Sequence, residues 1–592
     1  MLKPASDRLD YSEMLTPPYG YETVFAVGTT YSLDLDALIG ASIALGLSES
    51  IDNELKDNPI YLLEALQKTA DKVLIFCEGG QIKVPTNSNA LHILLEKMVV
   101  EVVMKNKKSF HPKFWLVKYK NEDGEALYRC LVLSRNLTFD RSWDVAVGIE
   151  GTYRNSNVNG KTKPLYDFLQ SLTKLVKRNE IDKDKRKELL NLSEEIMNVN
   201  FQLNEKEFKD FSFHPVGIEN YCIEDTGFFN NYHELLIISP FLSDGTIKKI
   251  NEIALTNPYY NMLITRKSEL PKLKPSSVNN FETYVLKDII IDGEEALSEG
   301  EQDEDTQKQK QDIHAKLYLK TKYSDSELFI GSLNASNNAC YGNVEFLFKL
   351  YGKRRYLNVD LLRKDIFGDS DKDNPFEIVE VINDEMPEPP ITDNLEKIIK
   401  DICRLKSHAA ISGGEDIYSI DVQFEGLTEN SNVFIKPLLS NKEQTLSEHI
   451  IFDNLEMLQL SEFYIIKAVS GDENVQRLIK IRTENMPENR ESSVVNSIIK
   501  DKNGFIQYIS FVLGDDYLLS LLENKNSMKY GFLFGSGEII PALYEKMLRA
   551  SARSPQKFND IKKIMDLISD DNIIPHGFKE LYEVFEKVVT KK

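Results

Sequence analysis

Cysteine, histidine and net positive charge are all scarce in this 592-residue chain, and each shortage narrows what it can do. The five cysteines (Cys77, Cys130, Cys222, Cys340 and Cys403) are scattered, with no Cys-x-x-Cys pair and an odd total. That pattern argues against a disulfide framework and against a zinc cluster. No apolar run reaches the length of about 20 residues that a bilayer span requires. The opening MLKPASDRLDYSEML lacks the basic start and apolar core of a secretion signal. A reducing cytoplasmic setting, with no membrane partner, is therefore expected. A formal charge of −21 argues against a protein that simply coats nucleic acid, because neutralising phosphates takes Lys and Arg. An acidic enzyme acting on a polyanion must instead concentrate its cations at the site. The stretch EVVMKNKKSFHPKFWLVKYK, residues 101–120, does so with six lysines against one glutamate. Lys105, Lys107 and Lys108 are candidate substrate contacts, although a solvated strand-and-loop surface is the plainer reading of a lysine run.

With 42% hydrophobic and 28% charged residues the composition is that of a globular protein, and the length calls for two to four domains. The first 200 residues alternate strand and helix patterns. ETVFAVGTTYSL and KVLIFCEGG read as strands, LDALIGASIAL as a helix, and DKDKRKELLNLSEEIMNVN as a charged closing helix. A second unit repeats the order, with HELLIISPFLS, the helix start DGTIKKINEIA, and YYNMLITRKSEL. The expected fold class is α/β, with similar lobes at 1–204 and 205–382 and a pseudo-two-fold site between them. An α+β accessory or interaction domain is expected at 395–592, after the proline-rich linker NDEMPEPPITDN. In that third region SSVVNSIIKDKNGFIQYISFVL reads as one amphipathic helix. FGSGE (534–538) is a lone Gly-x-Gly and does not make a nucleotide loop. Residues 292–312, with nine acidic residues and two lysines, read as a solvated loop; a flap shielding a positive site is the alternative.

The sharpest signal is a repetition. HPKFWLVKY (111–119) and HAKLYLKTKY (314–323) both open a strand with His-x-Lys, using two of only eight histidines. Alternation along a strand sends His111 with Lys113, and His314 with Lys316, to one face. Each is followed by a strand ending in asparagine: LVLSRN leads to Asn136 and FIGSLN to Asn334, at spacings of 25 and 20. A lone His-x-Lys is weak, and two core histidines satisfied locally would explain one site. They would not explain the pairing.

These residues resemble the phospholipase D superfamily, whose two lobes each contribute a His-x-Lys and a downstream Asn. GSLNASNN (331–338) is similar to that family's Gly-Ser-x-Asn signature. The Asp found five positions after the Lys in its phospholipases is Lys118 in one half here and Thr321 in the other. That departure, and the layout of SRNLTFDRSWDVAVGIEG, look more like the tyrosyl-DNA phosphodiesterase and nuclease-like branch. The resemblance spans about residues 20–355. It implies phosphodiester chemistry without cofactor or metal: His111 as nucleophile, His314 as general acid/base, and Lys113, Lys316, Asn136 and Asn334 on the phosphate oxygens. It also implies Glu345, eleven positions beyond Asn334, as an orienting carboxylate, with Asp144 as a looser counterpart. Ser134 and Ser332 are phosphate donors or strand-end caps. The expected function is a nuclease acting on DNA or RNA. A phospholipid or other phosphodiester hydrolase, or a non-catalytic nucleic-acid-binding module, is the alternative. By analogy, the setting is a bacterial anti-phage defence or restriction module, with a helicase or other defence-module protein as partner of the C-terminal region and an oligomer as a further option.

Overall fold

The computed structural model describes residues 10–46, 58–105, 108–140, 142–154, 160–176, 180–255, 260–287, 312–368, 374–382, 390–414, 416–428, 430–513, 539–570 and 572–589. Lys107, the acidic segment up to 311, linker residues 383–389 and the FGSGE segment lie outside them. The chain is a mixed α/β structure with several sheets. One sheet has seven strands, in the spatial order Val199–Gln202, Ala146–Tyr153, Ala126–Leu133, Phe114–Asn121, Tyr21–Thr30, Val73–Glu78 and Val99–Val102. A second runs Phe208–Val216, Asn343–Lys353, Asp325–Gly331, Leu317–Lys322, Glu234–Ile238, Tyr260–Ile264, Glu282–Leu286 and Phe376–Val379. Its first seven strands follow the same succession of four antiparallel and then two parallel pairings as the first sheet.

Period-2 alternation explains how the layers stack. Along Phe114–Asn121, Phe114 and Leu116 enter a core shared between the two sheets, while Trp115, Val117 and Tyr119 face the opposite side. In the shared core Phe346 of the second sheet lies 4.9 Å from Phe114 and 4.8 Å from Phe168, ring to ring. Burying aromatic rings from both sheets in one place fixes how the sheets face each other.

The opposite face of the first sheet is covered by the helices Leu35–Gly46 and Pro59–Thr69, and by helices from the C-terminal region. The segment read as one helix at 492–513 is two, Arg490–Ile498 and Lys502–Val512; the Asp501 carboxylate accepts from the Gly504 amide and starts the second. The C-terminal strands Phe463–Ser470 and Glu473–Lys480 share a sheet with the short strands Leu33–Asp34 and Ile82–Lys83. Glu96, 2% exposed, accepts from the Ser461 hydroxyl at 2.7 Å and pairs with Arg490 at 2.7 Å. The C-terminal region is thus bonded into the N-terminal half through backbone and side chains alike.

Candidate active site

Two very short strands build the site. Ser109–Phe110 leaves the first sheet and pairs in parallel with the start of Asn343–Lys353 in the second, Phe110 opposite Val344. Asp312–Ile313 makes the mirror move and pairs in parallel with Ser142–Trp143, Ile313 opposite Trp143. The next backbone bond on each side is made by a motif histidine: the His111 amide donates to Val344 O and the His314 amide to Trp143 O, both at 2.9 Å. Each histidine is thereby registered beside the carboxylate of the other half, His111 beside Glu345 and His314 beside Asp144.

The side chains follow that register. His111 Nδ1 lies 2.9 Å from Glu345 Oε2, and Glu345 is fully buried. Glu345 also accepts from the Ser332 hydroxyl and, at 3.0 Å, from Asn343 Nδ2. In the other half Asp144 accepts from the Ser134 hydroxyl at 2.8 Å and shares a neighbourhood with Asp140 and His314, whose potential ligand atoms lie within 4.8 Å of one another. Both serine hydroxyls also accept from a backbone amide, Val145 for Ser134 at 2.9 Å and Phe346 for Ser332 at 3.0 Å. Ser134 and Ser332 therefore hold the two carboxylates, each giving its hydroxyl proton to one of them. Gly331 makes this possible in the second half. Its φ is +154°, and a Cβ there would lie 2.2 Å from the Phe346 carbonyl that accepts the Ser332 amide.

Lys113 and Lys316 are each 1% exposed. Lys113 Nζ sits 3.1 Å from His111 Nε2 and donates to the His111 carbonyl at 3.2 Å. Lys316 Nζ donates to the carbonyls of His314 at 2.6 Å and Ser134 at 3.3 Å. Among the described residues neither lysine is ion-paired with a carboxylate. Burial, and for Lys113 the charge of Lys316, push both ammonium groups down, Lys316 to about 8 and Lys113 well below its ordinary value. Burial holds the His111 imidazole at about 4 despite the opposing pull of Glu345. His314 is lowered further, by burial first and then by Lys316 and Arg266. Among the described residues the buried Asn334 Oδ1 has no hydrogen-bond partner, and neither has His314 Nδ1. Asn136 Oδ1 accepts a long 3.5 Å bond from the Ser32 amide. Lys105 and Lys108 lie in the turn leading to Ser109–Phe110, Lys105 exposed and Lys108 half-buried.

Four participants were not singled out from sequence. Tyr31, at the end of the first strand, packs its ring 5.1 Å from the His111 ring. Glu78 accepts the Phe110 amide at 2.7 Å. Arg266 donates to the Ile313 carbonyl at 3.0 Å, and Phe241 lies under its guanidinium at 4.7 Å. The available signal was again repetition, since TTYS and SPFLS both put an aromatic just past the first parallel strand.

No family model and no curated protein matches this chain. Among solved structures it is similar to yeast tyrosyl-DNA phosphodiesterase, at 14% identity and a TM-score of 0.36, over 59% of this chain and 87% of that one. It is similar also to polyphosphate kinase from Porphyromonas gingivalis (13%, TM-score 0.32, 66% of this chain and 50% of that one). A third is phosphatidylserine synthase of Haemophilus influenzae (10%, TM-score 0.32, 65% and 92%). All three are of the phospholipase D superfamily, the family that the two half-motifs resemble. At such TM-scores the functional reading rests on the site itself.

Proposed function

We propose that the protein is a phosphodiesterase that cleaves DNA or RNA without a metal, through a phosphohistidine on His111, with His314 as general acid and base. The carrying observation is the pair of buried lysines, without carboxylate partners among the described residues, set against two histidines. A buried, unpaired ammonium costs several kcal/mol. Two of them together define a place for an anion, and a phosphodiester supplies that charge along with a bond for the imidazoles to attack.

The geometry supports these roles. With its Nδ1 proton donated to Glu345, His111 presents the Nε2 lone pair, and a pKa of about 4 keeps it unprotonated near neutrality. Attack forms the N–P bond as the P–O bond to the leaving group breaks. His314 must then give that oxygen a proton and later take one from water. Burial first, and then the charges of Lys316 and Arg266, oppose its protonation. A phosphate between Lys113 and Lys316 offsets that field, and Asp140 and Asp144 are placed to hold the imidazolium. The same cations disfavour a divalent ion at the Asp140, Asp144 and His314 group.

Nucleic acid is favoured over other phosphodiesters by the exposed rings near the half-motifs, Phe139 at 59% and Phe241 at 40%, which can stack on bases. The test is incubation with labelled single- and double-stranded DNA and RNA in EDTA. Cleavage of one of them, abolished by His111→Ala, is the expected outcome. Cleavage of none, with hydrolysis of a phospholipid instead, would overturn the substrate class.

A further inference from the structure

The two half-sites share a device that the fold completes in different ways. In the second half, Arg266 reaches the backbone just before His314, and its guanidinium covers the Phe241 ring. In the first half the ring is Tyr31, which packs on His111, and the cation over it is Lys400, 4.9 Å from the ring centre. Lys400 does not belong to either of the two large sheets. It lies on the helix Ile391–Cys403, at the start of the C-terminal region. Its ammonium also donates to the Tyr31 hydroxyl at 2.6 Å. The approach is close by construction: Gly80 has φ +72°, and a Cβ on it would lie 2.9 Å from Cys403 Sγ and 3.5 Å from Lys400 Cα. The glycine pair closing the strand Val73–Glu78 is what lets this helix dock beside the site. The same corner holds Glu78, which fixes the Phe110 amide one residue before His111 and feels the charges of Lys400 and Arg404.

We infer that Lys400 is a positioning residue for His111, acting through Tyr31, so that the C-terminal region completes the active site of the first half. The inference rests on the proposed role of His111. Lys400 touches no reacting atom. Its bond to the phenol and its charge over the ring fix the plane against which the His111 imidazole packs, while Glu345 holds Nδ1. An imidazole held on one side only would lose the alignment that in-line attack on phosphorus demands.

The experiment uses the full chain with isotope-labelled histidine, the His111 resonance being assigned through its loss in His111→Gln. In Lys400→Met the His111 ring resonance is expected to shift while that of His314 stays in place, and Lys400→Arg should restore it. This readout does not need a substrate, so it separates a failure of the inference from a failure of the nuclease reading. On a cleaved substrate, Lys400→Met should lower kcat about tenfold, the usual scale for supporting contacts, with KM changed less than about twofold. The loss should be non-additive with Tyr31→Phe, because both substitutions break one chain of contacts. An unmoved His111 resonance in Lys400→Met would overturn the inference. So would full additivity with Tyr31→Phe. If Lys400→Met fails to fold, Tyr31→Phe alone must produce the same His111 shift, or the inference falls.

Discussion

Glu345→Gln is the most exposing perturbation of the proposed chemistry, because it keeps the shape of a fully buried side chain and removes only its charge and one acceptor. The carboxylate has three donors pointed at it: His111 Nδ1, the Ser332 hydroxyl and Asn343 Nδ2. An amide cannot serve all three. If its NH2 faces Asn343, two donors meet. If it faces His111, the imidazole must carry its proton on Nε2, and the lone pair meant for phosphorus is gone. In the first arrangement a charge-assisted bond worth about 1.5 to 3 kcal/mol becomes a neutral one worth about 0.5 to 1.5 kcal/mol, a loss of about 1 to 1.5 kcal/mol or roughly 5- to 13-fold in rate. In the second the tautomer is wrong, and losses approach the ~10⁴-fold seen when the carboxylate of a catalytic triad is amidated. The expected fall in kcat/KM is therefore at least about fivefold.

The pH profile adds a directional check. The Glu345 charge raises the His111 pKa against the stronger effect of burial, with a net value of about 4. Attack needs the neutral ring, so activity should fall on the acid side as pH drops through the free-enzyme value. Removing the charge lowers that value further, and the acid limb should move to lower pH. Steady-state cleavage of a short labelled oligonucleotide from pH 3.5 to 8 would measure both effects. A loss smaller than about threefold, with the acid limb unmoved, would refute the claim that Glu345 sets the His111 tautomer.

Cleavage should persist in EDTA, since Lys113, Lys316 and Asn334 supply the electrophilic contacts; complete loss restored by a divalent ion would move the chemistry to Asp140, Asp144 and His314. A denaturing quench at alkaline pH, where the N–P bond survives, of His314→Ala with a good leaving group should trap an adduct on His111, located by peptide mass spectrometry, and an adduct found on His314 in His111→Ala would reverse the two roles. His214, held by burial at about 4 against about 6.5 in the unfolded chain, binds its proton more readily unfolded, so its contribution is lost as pH falls from about 6.5 toward 4. His214→Gln should make the decline of the unfolding free energy over that range shallower, by on the order of 2 kcal/mol at its acid end as read by denaturant titration, and an unchanged slope would show that His214 is not the titrating group.

Much of this site could be read from sequence because its parts sit where patterning is strong. The strands that His-x-Lys was expected to open alternate clearly, although in the structure they begin just after it, at Phe114 and Leu317, and Ser134 with Asn136 repeats as Ser332 with Asn334. What could not be read was the exchange between halves. It is set by Ser109–Phe110 and Asp312–Ile313, strands of two residues, too short to leave any periodicity. Glu345 looked like a residue of its own half and serves the other. Tyr31 and Lys400 were hidden for a different reason: the contact between them spans 369 positions, and neither stands in a motif. The helix break at 499–501 was masked because apolar residues continue across it, and only the Asp501 cap marks the restart.

The exchange has a mechanical consequence. A half that holds its histidine with its own carboxylate could be active, and mobile, on its own. Here the backbone before each histidine is a short strand bonded to the other half, Ser109–Phe110 to the second large sheet and Asp312–Ile313 to Ser142–Trp143 in a two-stranded sheet of their own, so the imidazole cannot be placed until both halves have met around Phe114, Phe168 and Phe346. The two buried lysines carry the cost of that closure. Burial pushes both ammonium groups down, and for Lys113 the charge of Lys316 adds to it, against the opposing pull of Glu345 and Asp144. Hydrophobic contact in the shared core must offset this. On the proposed reading a phosphodiester bound between the two lysines would relieve it, so that substrate binding would stabilise the packed halves through the same two charges.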